Sequence, residues 1–198
     1  MAELRARGRS RALPPRPRSG WRTVLLIAAV ILAPVVASYG IYYLFPRAPA
    51  ADYGALLTTA QVPAIEGTRS DGSPFRLDEL RGRWVLLVTG AGECAVVCER
   101  NLYATRQART MQGKEQDRVV RVWLVVGAAP QSPALLAQHP GLVVVRVADA
   151  ALARLPGGAG PLYLVDPLGN LVLRYPADPD IQGIARDLTR LLMASRIG

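Results

Sequence analysis

Only two cysteines, Cys94 and Cys98, and a single histidine, His139, occur in the 198 residues. One imidazole argues against a Ser-His-Asp site. No Walker A loop, dinucleotide fingerprint or zinc-ligand set is present, so nucleotide- and zinc-dependent chemistry finds no support. Lysine is scarce beside arginine, and Ala, Gly and Pro are abundant, a composition typical of a GC-rich bacterial genome. Charge is missing altogether between Thr23 and Phe45. There is no internal repeat.

The uncharged stretch is about 34 Å long as a helix, enough for a hydrocarbon core of about 30 Å. Pro34 and Gly40 lie inside it and are tolerated in spanning helices. Trp21 marks one end and Tyr39, Tyr42, Tyr43 and Phe45 the other, as interfacial aromatics do. Arg5, Arg7, Arg9, Arg11, Arg16, Arg18 and Arg22 precede it, opposed only by Glu3. The positive-inside rule then expects a cytoplasmic N-terminus and an exported C-terminal domain. A signal peptide cleaved near Ala48-Pro49-Ala50 is the competing reading. Its apolar region would span only about 7–15 residues, so an anchor is the better fit.

The charge reads differently in that light. The whole chain carries +9. Seven arginines against one glutamate put +6 of this in the first 22 residues and leave +3 for the rest. The basic tail is thus a topology signal and a contact for anionic membrane lipid. No nucleic-acid reading module accompanies it, and no nucleic-acid partner is expected.

The expected organisation is a basic tail over 1–22, a transmembrane helix over 23–45, a Pro/Ala-bearing linker over 46–62 and one domain over 63–198. Within the domain, Ser70-Asp71-Gly72-Ser73 predicts a hairpin between Thr68 and Phe75. Leu77 to Gly82 predicts a short helical turn stopped by glycine. Trp84–Thr89, Val119–Val126 and Leu142–Val147 predict strands, the first ended by Gly90-Ala91-Gly92. A helix is expected from about Cys94 to Met111, with Val97, Leu102, Ala108 and Met111 buried. Short helices are expected from Ser132 to Gln138 and from Asp149. Leu162–Val165, the Asp166–Asn170 turn and Leu171–Tyr175 form a hairpin signature, followed by an amphipathic helix through Ile181, Ile184, Leu188 and Leu192. Apolar strands alternating with helices give an α/β fold, a central mixed sheet flanked by helices.

Cys94 and Cys98 fall at the start of the first long helix. Residues four apart share a helix face, so both sulfurs reach one partner or one another. A helix N-terminus favours thiolate, whereas Glu93 and Glu99 oppose it and Arg100 partly offsets them. Such a dithiol forms a disulfide, exchanges with another disulfide, or holds a soft ion such as Cu(I). As an inert staple it would close so short a loop that it restricts the unfolded chain little.

The element order with two cysteines at that helix resembles the thioredoxin fold. More narrowly it resembles the Sco/SenC family of cytochrome c oxidase assembly proteins, which are membrane-anchored and carry a C-x-x-x-C motif. The resemblance rests on Asp71–Leu87, on Cys94-Ala95-Val96-Val97-Cys98, and on Tyr163–Asn170, and it spans most of 63–198. The first and third pieces are shared with other thioredoxin-like proteins. The cysteine spacing and the anchor are what point to Sco.

The chain departs from that pattern. Gly158 stands near the place of the family's histidine ligand, Glu99 replaces the proline after the second cysteine, and Val125-Val126-Gly127-Ala128 lacks the usual acid. His139 sits in a helix-to-strand loop, read as solvated rather than as a third ligand.

The resemblance implies oxidase assembly in a bacterial inner membrane with a periplasmic domain. The means would be thiol–disulfide exchange or transient Cu(I) handling by Cys94 and Cys98. Cys94, nearer the helix N-terminus, would be the attacking thiol, and Cys98 the resolving thiol or second ligand. Pro161 matches the cis-proline that many thioredoxin-like oxidoreductases place opposite the dithiol; a plain loop proline is the other reading. The implied partner is the copper-binding subunit of cytochrome c oxidase or another periplasmic thiol protein. A general periplasmic thiol–disulfide reductase, or a scaffold with a vestigial dithiol, are the alternatives.

Overall fold

The computed structural model describes residues 20–44, 52–156 and 161–195. The chain divides into two units, Met1–Ala51 and Asp52–Gly198.

The first unit contains helix α1 (Gly20–Leu44), with Pro34 inside it. Gly20–Gly40 has a mean hydropathy of 2.2 and is long and apolar enough to cross a membrane. The helix starts three residues before the expected position 23 and takes in Trp21 and Arg22. Phe45 and the arginines before Arg22 lie outside the described residues.

In the second unit, β1 (Ala55–Gln61), β2 (Glu66–Arg69), β3 (Pro74–Arg76), β4 (Trp84–Ala91), β5 (Val119–Val126), β6 (Leu142–Arg146), β7 (Leu162–Val165) and β8 (Asn170–Tyr175) form one sheet. Their order is β1-β8-β7-β4-β5-β6-β2-β3. Helix α2 (Val96–Thr110) connects β4 to β5, and α3 (Pro133–Ala137) connects β5 to β6. Both crossovers return the chain so that β4, β5 and β6 run parallel. The short α4 (Asp149–Ala153) precedes β7, which pairs antiparallel with both β4 and β8. Helix α5 (Ile181–Ala194) closes the domain.

Side chains alternate across the sheet and make two cores. On one face Leu86, Val88, Trp123, Val125, Leu164 and Leu173 pack with Leu102 and Ala108 of α2 and with Ile184, Leu188 and Leu192 of α5. On the other, Val85, Leu87, Val122, Leu124 and Tyr163 pack with Ile65, Phe75, Leu77 and Leu80. The central strands are covered on both sides, so they read as near-continuous apolar runs, interrupted by Thr89 in β4 and Arg121 in β5. This mixed sheet with helices on both faces is the thioredoxin-like arrangement expected.

The linker stretch contains a strand. Strand β1 pairs antiparallel with β8, Ala55 opposite Arg174. It lies at the sheet edge, with Leu56 72% exposed and Leu57 only partly buried against the second core, so burial imposes little alternation on Ala-Leu-Leu-Thr-Thr-Ala-Gln. The segment leading into it is pinned to α5. The buried Asp187 carboxylate accepts the Tyr53 amide at 3.1 Å and the Gly54 amide at 3.0 Å. The Tyr53 ring lies on Gly183, where a Cβ would come within 2.4 Å of the ring.

Candidate functional site

The parallel strands β4 and β5 end together, Ala91 opposite Val126. Open α/β sheets place their reactive groups just beyond such strand ends. The chain leaves β4 through Gly92, whose amide donates to the Val126 carbonyl at 3.3 Å. A Cβ on Gly92 would meet the Ala129 carbonyl oxygen at 2.5 Å, so only glycine lets the two loops close on each other. Gly92→Ala is expected to destabilise the domain by about 1–3 kcal/mol through overpacking. It should also slow exchange at the cysteines two residues on. Urea unfolding of the oxidised chain, with the rate of its reduction by dithiothreitol, checks both effects.

Cys94 and Cys98 are joined as a disulfide, with Cα atoms 5.2 Å apart. The helix begins at Val96, two residues after the start expected near Cys94. Ala95 is the N-cap, in extended conformation, and Val96 is the first helical residue. Cys94 therefore lies ahead of the helix, and Cys98 in its first turn. No side chain caps this terminus, so first-turn amides are left to face a thiolate at Cys94. Both cysteines are half-buried. Val96 is 64% and Val97 44% exposed, which overturns the buried position expected for Val97 and leaves an apolar rim beside the disulfide. Met111, also expected inside, is exposed. The buried face of α2 is instead made by Asn101, Leu102, Ala104, Thr105 and Ala108. Arg100 pairs with Asp178 at 3.0 Å, so its charge is shared away from the thiols.

Pro161 is brought to the same end of the sheet. Its successor Leu162 stands opposite Val88, and the Thr89 hydroxyl donates to the Pro161 carbonyl at 3.4 Å. Pro161 is buried. Its preceding residues Gly157–Gly160, including the Gly158 position, lie outside the described residues, and with them the Gly160–Pro161 peptide.

His139 is not a solvated loop residue: it is 5% exposed. Two arginines hold its loop against α2 and the sheet. Arg106 donates to the Gln138 carbonyl, and Arg121 donates to the Pro140 carbonyl at 2.6 Å. Arg106 is eight residues past Cys98, about 12 Å along the helix, so this histidine does not complete the dithiol. Among the described residues no group of three His, Cys, Asp or Glu side chains could hold a metal ion.

Burial, then the neighbouring Arg121 and Arg106 charges, push the His139 pKa below its ordinary 6.5. Unfolded, the imidazole takes up its proton below about pH 6.5; folded, it does so only at lower pH. Stability from this group is thus present above pH 6.5 and lost as pH falls to the folded value. The urea midpoint should drop between pH 7 and pH 5, and His139→Gln should flatten that drop.

A profile described as "Transmembrane-like, thioredoxin-like, C-terminal domain" matches residues 84–195. A search of curated proteins finds no match. Among solved structures, apo Sco1 from Thermus thermophilus aligns at 24% identity over 73% of this chain and 99% of its own, with a TM-score of 0.59. Copper-bound ScoI from Bradyrhizobium japonicum aligns at 21% identity over 66% and 99%, TM-score 0.51. The thioredoxin domain of a thiol-disulfide oxidoreductase from Bacteroides vulgatus aligns at 14% identity over 70% and 99%, TM-score 0.52. At these identities the likeness establishes the thioredoxin-like fold. The profile spans the dithiol helix, the parallel strands and the closing hairpin and helix, and so the chain belongs to the transmembrane-like, thioredoxin-like C-terminal domain family.

Proposed function

We propose that this protein is a membrane-anchored thiol–disulfide oxidoreductase that serves cytochrome c oxidase assembly from the periplasmic side of a bacterial inner membrane. The observation that carries the chemistry is the half-buried Cys94–Cys98 disulfide at the end of β4, ahead of an uncapped helix N-terminus. In the reduced chain, the Cys94 thiolate attacks a client disulfide. A Cys94–client bond forms, and the second client sulfur leaves as a thiolate that takes a proton. Cys98, as thiolate, then attacks the Cys94 sulfur, releases the other client thiol and closes the Cys94–Cys98 disulfide. Two electrons pass to the client, and an external dithiol must return them. Val96 and Val97 supply an apolar surface for the client chain, and Pro161 borders the same sheet end. The oxidase assignment rests on the Sco resemblance and on the positive-inside orientation of the anchor.

A second reading, transient Cu(I) carriage, is favoured by the accessibility of two soft donors once the disulfide is reduced. Copper would be cargo, held by two thiolates alone, since the described donor set has no third ligand for it.

Deletion in the source bacterium tests the main reading. The cysteines of the oxidase copper-binding subunit should accumulate oxidised, and the wild-type chain but not Cys94→Ser should restore them. Unchanged thiols there, with oxidised thiols in other exported proteins, would indicate a general reductase. Titration of the reduced chain with Cu(I) against a competing chelator separates the second reading: it requires one-to-one binding lost in Cys94→Ser and in Cys98→Ser.

A further inference from the structure

The charged side chains beside the disulfide are unevenly committed. Arg100, two residues after Cys98, is held by Asp178 at 3.0 Å. Glu99, directly after Cys98, is exposed and has no ion pair among the described residues. A lone surface carboxylate is ordinary, but Glu99 lines a cleft of about 420 Å³ between α2 and α3. Glu99 and Arg100 stand at the end beside Cys98, and Tyr103, Leu135 and His139 line the rest. Tyr103 is 47% exposed and Leu135 is buried beside it, so this part of the wall is apolar. Burial lowers the His139 pKa, and the imidazole adds no charge near neutral pH. With Arg100 answered by Asp178, Glu99 is the one uncompensated charge in the lining.

The cleft is therefore ordered along the helix, negative beside the cysteines and apolar farther on. Arg106 already lies 5.3 Å over the Tyr103 ring, so a second cation is favoured at Glu99 and not at Tyr103. The spacing suits an extended chain. Cys94 and Cys98 are 5.2 Å apart between Cα atoms, which puts Glu99 about two extended residues from a client cysteine joined to Cys94. Tyr103 is one turn beyond Glu99, about 6 Å along the helix, or about two client residues more. Val96 and Tyr103 are seven residues apart and share a face of α2, so the cleft continues the apolar surface beside the disulfide.

We infer that this cleft selects the client in the thiol exchange proposed for Cys94 and Cys98, a reading on which the selection rests. It takes client segments with a basic residue about two positions, and a large apolar residue about four positions, from the reactive cysteine. The basic side chain meets Glu99, whose attraction speeds encounter and orients the segment. The apolar side chain lies against Tyr103 and Leu135. Glu99 and Tyr103 set specificity and take no part in the bond exchange.

Single-turnover reduction of synthetic peptides by the pre-reduced full chain in non-ionic detergent tests it. Each peptide is closed by one disulfide and carries, outside both cysteines, Lys or Glu at the nearer position and Phe or Ser at the farther one. Each event oxidises Cys94 and Cys98 to their disulfide and reduces the peptide disulfide to two thiols, so no other reductant is needed. At low ionic strength the Lys peptide should react about threefold faster or more than the Glu peptide, as an exposed ion pair allows. Added salt should shrink that ratio. Glu99→Gln should at least halve it, and Glu99→Lys should reverse the order. Phe should outrun Ser in the wild type, and Tyr103→Ser should remove the advantage. Both replaced side chains are exposed, so the core is left intact, and ratios within one variant are independent of its active fraction. A smaller Lys-to-Glu ratio in the wild type, a ratio that Glu99→Gln does not halve, or a Phe advantage that survives Tyr103→Ser would overturn selection by the cleft and leave the exchange reading standing. Reduction of none of the peptides would overturn both.

Discussion

Cys94→Ser should remove disulfide reduction by the chain, with a loss on the order of 10³-fold or more, because a serine hydroxyl neither ionises near neutrality nor forms a disulfide. Cys98→Ser should fail differently. Cys94 would still attack, but nothing would resolve the product, so a mixed disulfide with the client should accumulate. A non-reducing gel reads the outcome directly: an adduct with Cys98→Ser that dithiothreitol collapses, and none with Cys94→Ser. The asymmetry follows from the backbone. Cys94 lies ahead of the Ala95 N-cap, facing the open helix end, whereas Cys98 is already inside the first turn. An adduct with Cys94→Ser instead would reverse the assigned roles. The effect on folding should be small by comparison, since a loop closed across a separation of four residues constrains the unfolded chain little.

Asp187→Ala should lower stability by about 2–4 kcal/mol, the largest effect expected outside the apolar core. Its carboxylate is the acceptor for both the Tyr53 and Gly54 amides. Truncation leaves two donors unsatisfied, each costing about 1–3 kcal/mol where buried. Asp187→Asn, which keeps an acceptor, should cost less. Urea unfolding followed by the fluorescence of buried Trp84 and Trp123 measures the midpoint. Limited proteolysis near Tyr53 should accelerate in Asp187→Ala, because that carboxylate fastens the start of the domain to α5. The two variant sets probe different things: the cysteines the chemistry, Asp187 the fastening of the domain's first strand.

The strands that carry the fold were legible because their burial is two-sided. Trp84–Thr89, Val119–Val126 and Leu162–Val165 are apolar but for Thr89 and Arg121, and β4, β5 and β7 occupy those positions. Turn chemistry was equally plain. Asp71 accepts from Ser73, and Asp166 accepts from Leu168 and Asn170, as Asx turns do. Strand β1 was hidden because an edge strand needs no apolar face. The start of α2 was misplaced because Ala95 carries no capping oxygen to mark it. Val97 and Met111 were misassigned because α2 packs through small and polar residues such as Ala104, Thr105 and Asn101, which leave a weak apolar period. The burial of His139 depends on two arginines from α2 and β5, remote in sequence, bonding the carbonyls beside it. Gly92 gave no signal beyond being a glycine at a strand end, since its role comes from the approach of Ala129.

The assigned thiol chemistry is tested most directly by the redox equilibrium of the full chain in glutathione buffers of graded potential, read by acid quenching and thiol trapping. Cys94 and Cys98 should convert together, as one two-electron couple, with a midpoint above that of structural disulfides, about −300 mV. A pair that stays oxidised throughout the glutathione range, or that does not form the disulfide at all, would contradict that chemistry.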